Sequence, residues 1–242
     1  MAIIIPANKR EEYQNGGFHI YSVNPGIENN ESDNGLGALG SFDHATLSSN
    51  VIVPMHEHSN DEIFSYIYSG EIYHEDTLGA RFPLTPNHMA VMNSGSGLSH
   101  EESTSATDGG VEMLQIFVRP REVDSKPIFQ DHKFPTAISE DQWRALAGPD
   151  NEQGFPFLLR NDVRIYDADL KNKIKIPTTE GWYSYLYIFK GEAQFENKGL
   201  IEGDSILISD LKEYSISSEN ARIVMFSIKK DAVFTRAGTI SG

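Results

Sequence analysis

The sequence predicts an all-β chain built from two related units in tandem. Three observations carry that expectation: short runs rich in Val, Ile, Tyr and Phe, turn-forming clusters between them, and an internal repeat. The runs include Val51-Ile52-Val53, Ile63-Phe64-Ser65-Tyr66-Ile67-Tyr68 and Val111 to Val118; Gly, Asn, Asp and Pro separate them at strand-and-turn intervals, the pattern of a β-sandwich or barrel. In the repeat, Ser65-Tyr66-Ile67-Tyr68-Ser69-Gly70-Glu71 recurs as Ser184-Tyr185-Leu186-Tyr187-Ile188-Phe189-Lys190-Gly191-Glu192, two residues longer ahead of the Gly-Glu turn. Each copy continues as an alternating strand, a turn and another strand.

Taken in chain order, the opening MAIIIPANKREE has too few apolar residues before its charges for a signal-peptide core. The polar run Glu28 to Gly35 lacks periodicity and reads as an exposed loop. Pro120, Pro127 and Pro135 bracket a charged stretch that marks the boundary between units 1–125 and 135–242; at 242 residues the chain has room for two domains of about 110 residues, each with its own core. Ser139 to Ala147 reads as one short connecting helix, with Ser139 and Gln142 as a capping box and Gly148-Pro149 as the stop.

The formal net charge of −15, with Lys and Arg scattered, argues against nucleic-acid binding through the phosphate backbone. Nowhere do about 18 apolar residues run together, so no membrane span is expected. Cysteine is absent, which removes disulfide and thiol chemistry and fits a cytoplasmic protein.

Chemistry concentrates in two short pairs, His56-Glu57-His58 and His100-Glu101-Glu102. On a strand, residues two apart share a face, so each pair points one way and together they offer three imidazoles and one carboxylate. That set suits iron, manganese, nickel, copper or zinc and lacks the thiolates of closed structural zinc sites. Glu57 points away on a regular strand. Glu62 shares the parity of His58 and ranks as a lesser candidate, a partner behind the ligands. His74 reads as a structural or solvent-facing hairpin residue, and His19, His44, His88 and His132 as surface or turn residues without partners at ligand spacing. Phe64 and Met55 are candidates for an apolar pocket wall, with core packing an equal reading. Aligned on Gly70 and Gly191, the second copy puts Pro177 and Thr179 at the places of His56 and His58, and Ile216 and Ser218 near those of His100 and Glu102. One unit carries the donor set, and its counterpart has lost it.

The stretch His56 to Gly79, with its His-x-His, Gly70-Glu71 and His74-Glu75-Asp76 spacing, resembles the first cupin motif of the pirin family, and Pro86 to Glu102, containing Met92-Asn93-Ser94-Gly95-Ser96-Gly97-Leu98-Ser99-His100-Glu101-Glu102, resembles the second. The chain departs from the family pattern at Glu57, where a proline is usual, and at Asn87-His88, where the family has Gly-Asp; Asn87 tolerates a left-handed turn. The resemblance implies a bicupin, two tandem jelly-roll cupin barrels with metal only in the first. It further implies one divalent ion, iron(II) foremost and manganese, nickel, copper, cobalt or zinc as alternatives, held by His56, His58, His100 and Glu102. Quercetin 2,3-dioxygenase chemistry follows from it, a phenolic substrate and O2 meeting at the metal with Glu102 as proton acceptor. A non-enzymatic iron-containing regulator that binds a protein partner, and a cupin isomerase, are the alternative functions. A monomer or weak dimer is expected.

Overall fold

The computed structural model describes residues 1–26, 33–106 and 109–242, so Glu28 to Ser32 of the expected exposed loop lie outside the described residues. The strands run β1 (Ala2–Ile5), β2 (Glu11–Asn15), β3 (Phe18–Val23), β4 (Leu39–Leu47), β5 (Ile52–His58), β6 (Glu62–Gly70) and β7 (Ile72–Asp76). Next come β8 (Arg81–Leu84), β9 (His88–Asn93), β10 (Leu98–Ser103), β11 (Val111–Val118), β12 (Ile128–Lys133), β13 (Arg144–Pro149) and β14 (Phe157–Leu159). The chain closes with β15 (Val163–Leu170), β16 (Lys173–Ile176), β17 (Trp182–Phe195), β18 (Lys198–Leu200), β19 (Ser205–Ile208) and β20 (Tyr214–Lys229). A single 3-10 turn, Ala7–Lys9, is the helical structure among the described residues, and no described helix is long and apolar enough to cross a membrane.

The chain forms two compact units that are not continuous in sequence. One comprises Met1–Arg10, Ile138–Leu158 and Asp162–Ala232; the other comprises Glu11–Ala137, Leu159–Asn161 and Val233–Gly242. The boundaries expected at 125 and 135 miss all three exchanged segments, 1–10, 159–161 and 233–242, and the two terminal exchanges depend on pairings distant in sequence. β1 pairs antiparallel with β19, Ala2 opposite Ile208, which fixes the first residues in the later unit. In the earlier unit, the amides of Ile240 and Ser241 donate to Asp61 at 3.1 and 3.0 Å, which fixes the last residues there.

The earlier unit has a seven-stranded sheet, β12-β9-β6-β11-β4-β3-β2, and a four-stranded sheet, β5-β10-β7-β8. Ile67, Ala90 and Met113 from the larger sheet pack with Ile72 and Leu84 from the smaller one in a common core. Gly70 ends β6 at φ +77°, and a Cβ there would lie 1.9 Å from the Gly110 carbonyl oxygen, so the turn requires glycine. In the later unit Gly191 repeats the device at φ +78°, with the Asn220 carbonyl 2.0 Å from where its Cβ would be. The repeat seen in sequence is thus also a repeat of backbone geometry.

The expected helix at Ser139 to Ala147 is absent. Asp141 has φ +52°, outside the helical region, and its carboxylate accepts the backbone amides of Lys171 and Asn172 at 2.9 Å each. Ser139 donates its hydroxyl to the Gln142 carbonyl instead of capping an amide, and Leu146 and Ala147 are fully buried within β13. Tertiary pairing has overridden a local helical signal. The exposed-loop expectation also fails at its end: Asp33 is buried, its carboxylate bound to the Arg119 guanidinium at 2.6 and 2.8 Å.

Candidate metal centre

The site is built on the smaller sheet. His56 and His58 stand on β5, His100 and Glu102 on the central strand β10. His100 lies opposite His56, Leu98 opposite His58, and Glu102 opposite Val53. Between His100 and Glu102 the register slips, β10 advancing two residues while β5 advances three, so β5 carries a bulge around Pro54 and Met55. Proline has no amide to leave unpaired at such a place. The Pro54 carbonyl also accepts a hydrogen bond from His56 Nδ1 at 2.8 Å. Because a carbonyl only accepts, this bond puts the His56 proton on Nδ1 and frees Nε2.

The three imidazoles converge. Ring centroids lie 4.4 Å apart for His56 and His100, 4.9 Å for His56 and His58, and 5.2 Å for His58 and His100. One ring nitrogen from each falls within 4.8 Å of the others, as do atoms of His74, His100 and Glu102. His58, His100 and Glu102 are buried, while His56 is partly exposed and forms the edge of the cluster toward solvent.

Both ring nitrogens of His58 and His100, and Oε1 of Glu102, are buried without a hydrogen-bond partner. Buried polar atoms are rarely left so, because each unsatisfied one costs about 1–3 kcal/mol. One nitrogen of His58, one of His100 and the Glu102 oxygen, three of these five orphans, fit a divalent cation, which accepts lone pairs from neutral imidazole and carboxylate alike; the second nitrogen of each ring carries its proton. Burial, reinforced by His56, His74 and His58 around it, lowers His100 to about 2, so this ring is a neutral donor. Burial also raises Glu102 to about 7, against the opposing pull of a hydrogen bond from Gln115.

Other expectations meet different outcomes. Glu57 is exposed, as strand parity required. Glu62 is buried, but its Oε2 accepts the Arg160 amide at 2.5 Å, an engagement away from the imidazoles. The carboxylate behind His58 is instead Asp61, with Oδ2 3.7 Å from His58 Nδ1. His74 is no solvent-facing turn residue: it is 1 % exposed, stacks on Phe129 with centroids 4.8 Å apart, and bonds Asp76 through Nε2 at 3.2 Å. Its parity on β7, two residues before Asp76 and two after Ile72, was the available signal. His44 and His88 are also buried, paired with Glu112 at 2.8 Å and Asp131 at 2.9 Å, whereas His19 is an exposed partner of Glu12. Thr85 and His88 close the hairpin at Asn87 through paired backbone bonds, without a positive φ at Asn87. Phe64 is a core residue and Met55 is exposed.

In the later unit Ile216 is indeed apolar and buried, but its partner across the ladder is Ile174, the equivalent of the His56–His100 pairing. Pro177 and Thr179 therefore lie beyond the end of β16, three residues from where alignment on the glycines put them. Ile176, Ile216, Ala193 and Phe195 pack that interior.

With this geometry in view, comparison with known proteins is specific. Residues 10–118 match the Pirin family, and residues 145–228 match the family described as the quercetinase C-terminal cupin domain. A protein of Zymomonas mobilis named as a candidate quercetin 2,3-dioxygenase is 31% identical over 177 residues, spanning 71% of this chain and 74% of its own length. The chain belongs to the pirin family. The Quercetin 2,3-dioxygenase of Escherichia coli strain K12 is a more distant relative, 20% identical over 176 residues, 72% of this chain and 74% of that protein. Among solved structures, the bacterial pirin YhhW of Escherichia coli in complex with nickel(II) superposes with a TM-score of 0.80 at 20% identity, covering 95% of this chain and 99% of that one. The fold of this pirin is therefore the all-β, cupin-type fold, and His56, His58, His100 and Glu102 all fall in the segment matched to the Pirin family.

Proposed function

We propose that this pirin is a metal-dependent dioxygenase that cleaves a flavonol or a related phenolic compound with O2, through an ion held by His56, His58, His100 and Glu102. The observation that carries the reading is the buried set of nitrogen and oxygen donors that have no partner in the protein. The names of the relatives support the reaction class.

A divalent ion, iron(II) foremost and manganese, nickel, copper, cobalt or zinc as alternatives, would be held by His56, His58, His100 and Glu102 and would supply Lewis acidity toward a phenol. The protein side chains divide the remaining work. His56, fixed through Nδ1 by Pro54, keeps Nε2 free to act with His58 and His100, and as the least buried of the three imidazoles it stands on the solvent side of the cluster. Glu102, with one oxygen free of any partner in the protein and the other bonded to Gln115, would offer a second carboxylate oxygen as acceptor for the phenolic proton. Burial of His58, His100 and Glu102 keeps bulk water from competing for the same atoms. The net reaction opens the heterocyclic ring, consumes O2 and releases carbon monoxide.

Purified protein, analysed for metal, is the material for the test. Oxygen uptake coupled to loss of the quercetin absorbance supports the proposal, and His56→Ala or Glu102→Ala should abolish both. Absence of turnover by metal-loaded protein across several phenols overturns it, and turnover without oxygen uptake assigns isomerase chemistry instead.

A further inference from the structure

Asp61 is fully buried, and its carboxylate is surrounded by donors from a segment 180 residues away. Oδ1 accepts the Ser241 amide at 3.0 Å and the Ser241 hydroxyl at 2.6 Å; Oδ2 accepts the Ile240 amide at 3.1 Å. The segment is anchored in turn: Thr239 donates its amide to the Ser59 carbonyl at 3.0 Å and accepts the Ser59 amide on Oγ1 at 2.8 Å. Gly238 closes over the carboxylate, where a Cβ would lie 2.3 Å from Asp61 Oδ1. From the other side Ser94 fixes the Asp61 backbone, its hydroxyl accepting the amide at 2.9 Å and donating to the carbonyl at 2.7 Å. Such complete immobilisation would be wasted on a carboxylate that faced nothing.

What Asp61 faces is His58. Oδ2 stands 3.7 Å from His58 Nδ1, just beyond hydrogen-bond range, and neither nitrogen of that ring has another partner. A small rotation of the ring would close the gap, put the proton on Nδ1 and leave Nε2 for an ion. A carboxylate behind an imidazole ligand has this effect in general: it fixes the tautomer and raises the basicity of the ligand.

We propose that Asp61 is the positioning residue of His58, and that residues 238–241 form a strap that holds Asp61 to that task. This deepens the assignment of the cluster as a metal centre, on which its affinity arm rests. The tautomer arm stands apart, because it concerns the protein before any ion is added.

The test uses the full chain, metal-free and then titrated with nickel(II). Nitrogen-15 NMR of the imidazoles should show His58 protonated at Nδ1, and Asp61→Asn should shift that proton toward Nε2. The nickel(II) dissociation constant should rise about tenfold or more in Asp61→Asn. Gly238→Ala, which leaves the carboxylate in the sequence and displaces it, should move both readouts the same way, and it answers the question if Asp61→Asn does not fold. Unchanged tautomer and unchanged affinity in a folded variant overturn the proposal. Should the wild type bind no nickel(II), the metal-centre reading falls, and the His58 tautomer in wild type and variants still decides the role of Asp61.

Discussion

His74 and Glu102 stand directly opposite one another on the ladder between β7 and β10, both buried, so a fourth imidazole borders the carboxylate of the candidate centre. Asp76, next on the same face of β7, accepts from His74 Nε2 and also takes the amides of Leu78 and Ala80 on its other oxygen at 2.8 and 3.0 Å. The hairpin after β7 thereby holds the ring beside the cluster.

Replacing His74 by alanine removes a buried ring from its stack on Phe129 and should destabilise the protein by about 3 kcal/mol. His74→Phe keeps the ring and loses its nitrogens, so a smaller loss of stability together with reduced oxygen uptake is expected. Urea denaturation and the quercetin assay, run on both variants, separate packing from polarity.

Metal uptake should depend on pH through Glu102. Its folded metal-free pKa lies near 7, above the ordinary 4.5, so below pH 7 the carboxyl carries a proton that the ion must displace. Affinity should rise about tenfold per pH unit toward 7 and then level off. His100, held near 2, releases no proton over that range. Calorimetry in buffers of different ionisation enthalpy should count close to one proton released by Glu102 at pH 6 and a smaller fraction at pH 8.

Glu102→Gln preserves size and a weak oxygen donor while removing the base. The three imidazoles should retain nickel(II) with reduced affinity, and turnover should fall about 100-fold or more. Metal content by mass spectrometry beside oxygen uptake distinguishes a lost base from a lost ion.

Arg119 is 3 % exposed and binds the Asp33 carboxylate, the Gly37 carbonyl at 3.1 Å and the Ser241 carbonyl at 2.5 Å. Arg119→Met should cost about 3–5 kcal/mol, the usual penalty for stranding a buried charge, moderated by Arg236, which also reaches Asp33 at 2.8 Å. The guanidinium holds Asp33 below the usual carboxylate range, so its stabilisation is present above pH 3.8 and lost as pH falls through the lowered value. Denaturation of the wild type and Arg119→Met between pH 3 and 7 should show the two curves converging in acid.

Gly70→Ala and Gly191→Ala should each be strongly destabilising, because both sites combine a positive φ with a carbonyl where the Cβ must go. A fall in Tm of several degrees in either variant, read by calorimetry, is the expected result.

The strands, the tandem repeat and the convergence of His56, His58 and His100 were legible because each follows from period-two spacing and local turn chemistry. The helix expected near Ser139 was not, since the pairing of Ala145 with Tyr166 and of Ala147 with Ile165 is invisible locally. Asp61 was passed over for Glu62 because strand parity favours Glu62, whereas Asn60, at φ +54°, turns the chain between β5 and β6 and breaks the alternation. Of the two readings of His74, the structural one holds and the solvent-facing one, suggested by two acidic neighbours, does not. Long-range pairing decided the first case, the helix near Ser139, and a local left-handed residue the second, Asp61.

The strap at residues 238–241 also sets an order of events during synthesis. Both histidines of β5 and the whole of β10 emerge more than 130 residues before Ser241, so an early chain can assemble the imidazoles with Asp61 still lacking the donors of Ile240 and Ser241. Chains halted before residue 238 should therefore carry a looser pocket than chains that include Ile240 and Ser241.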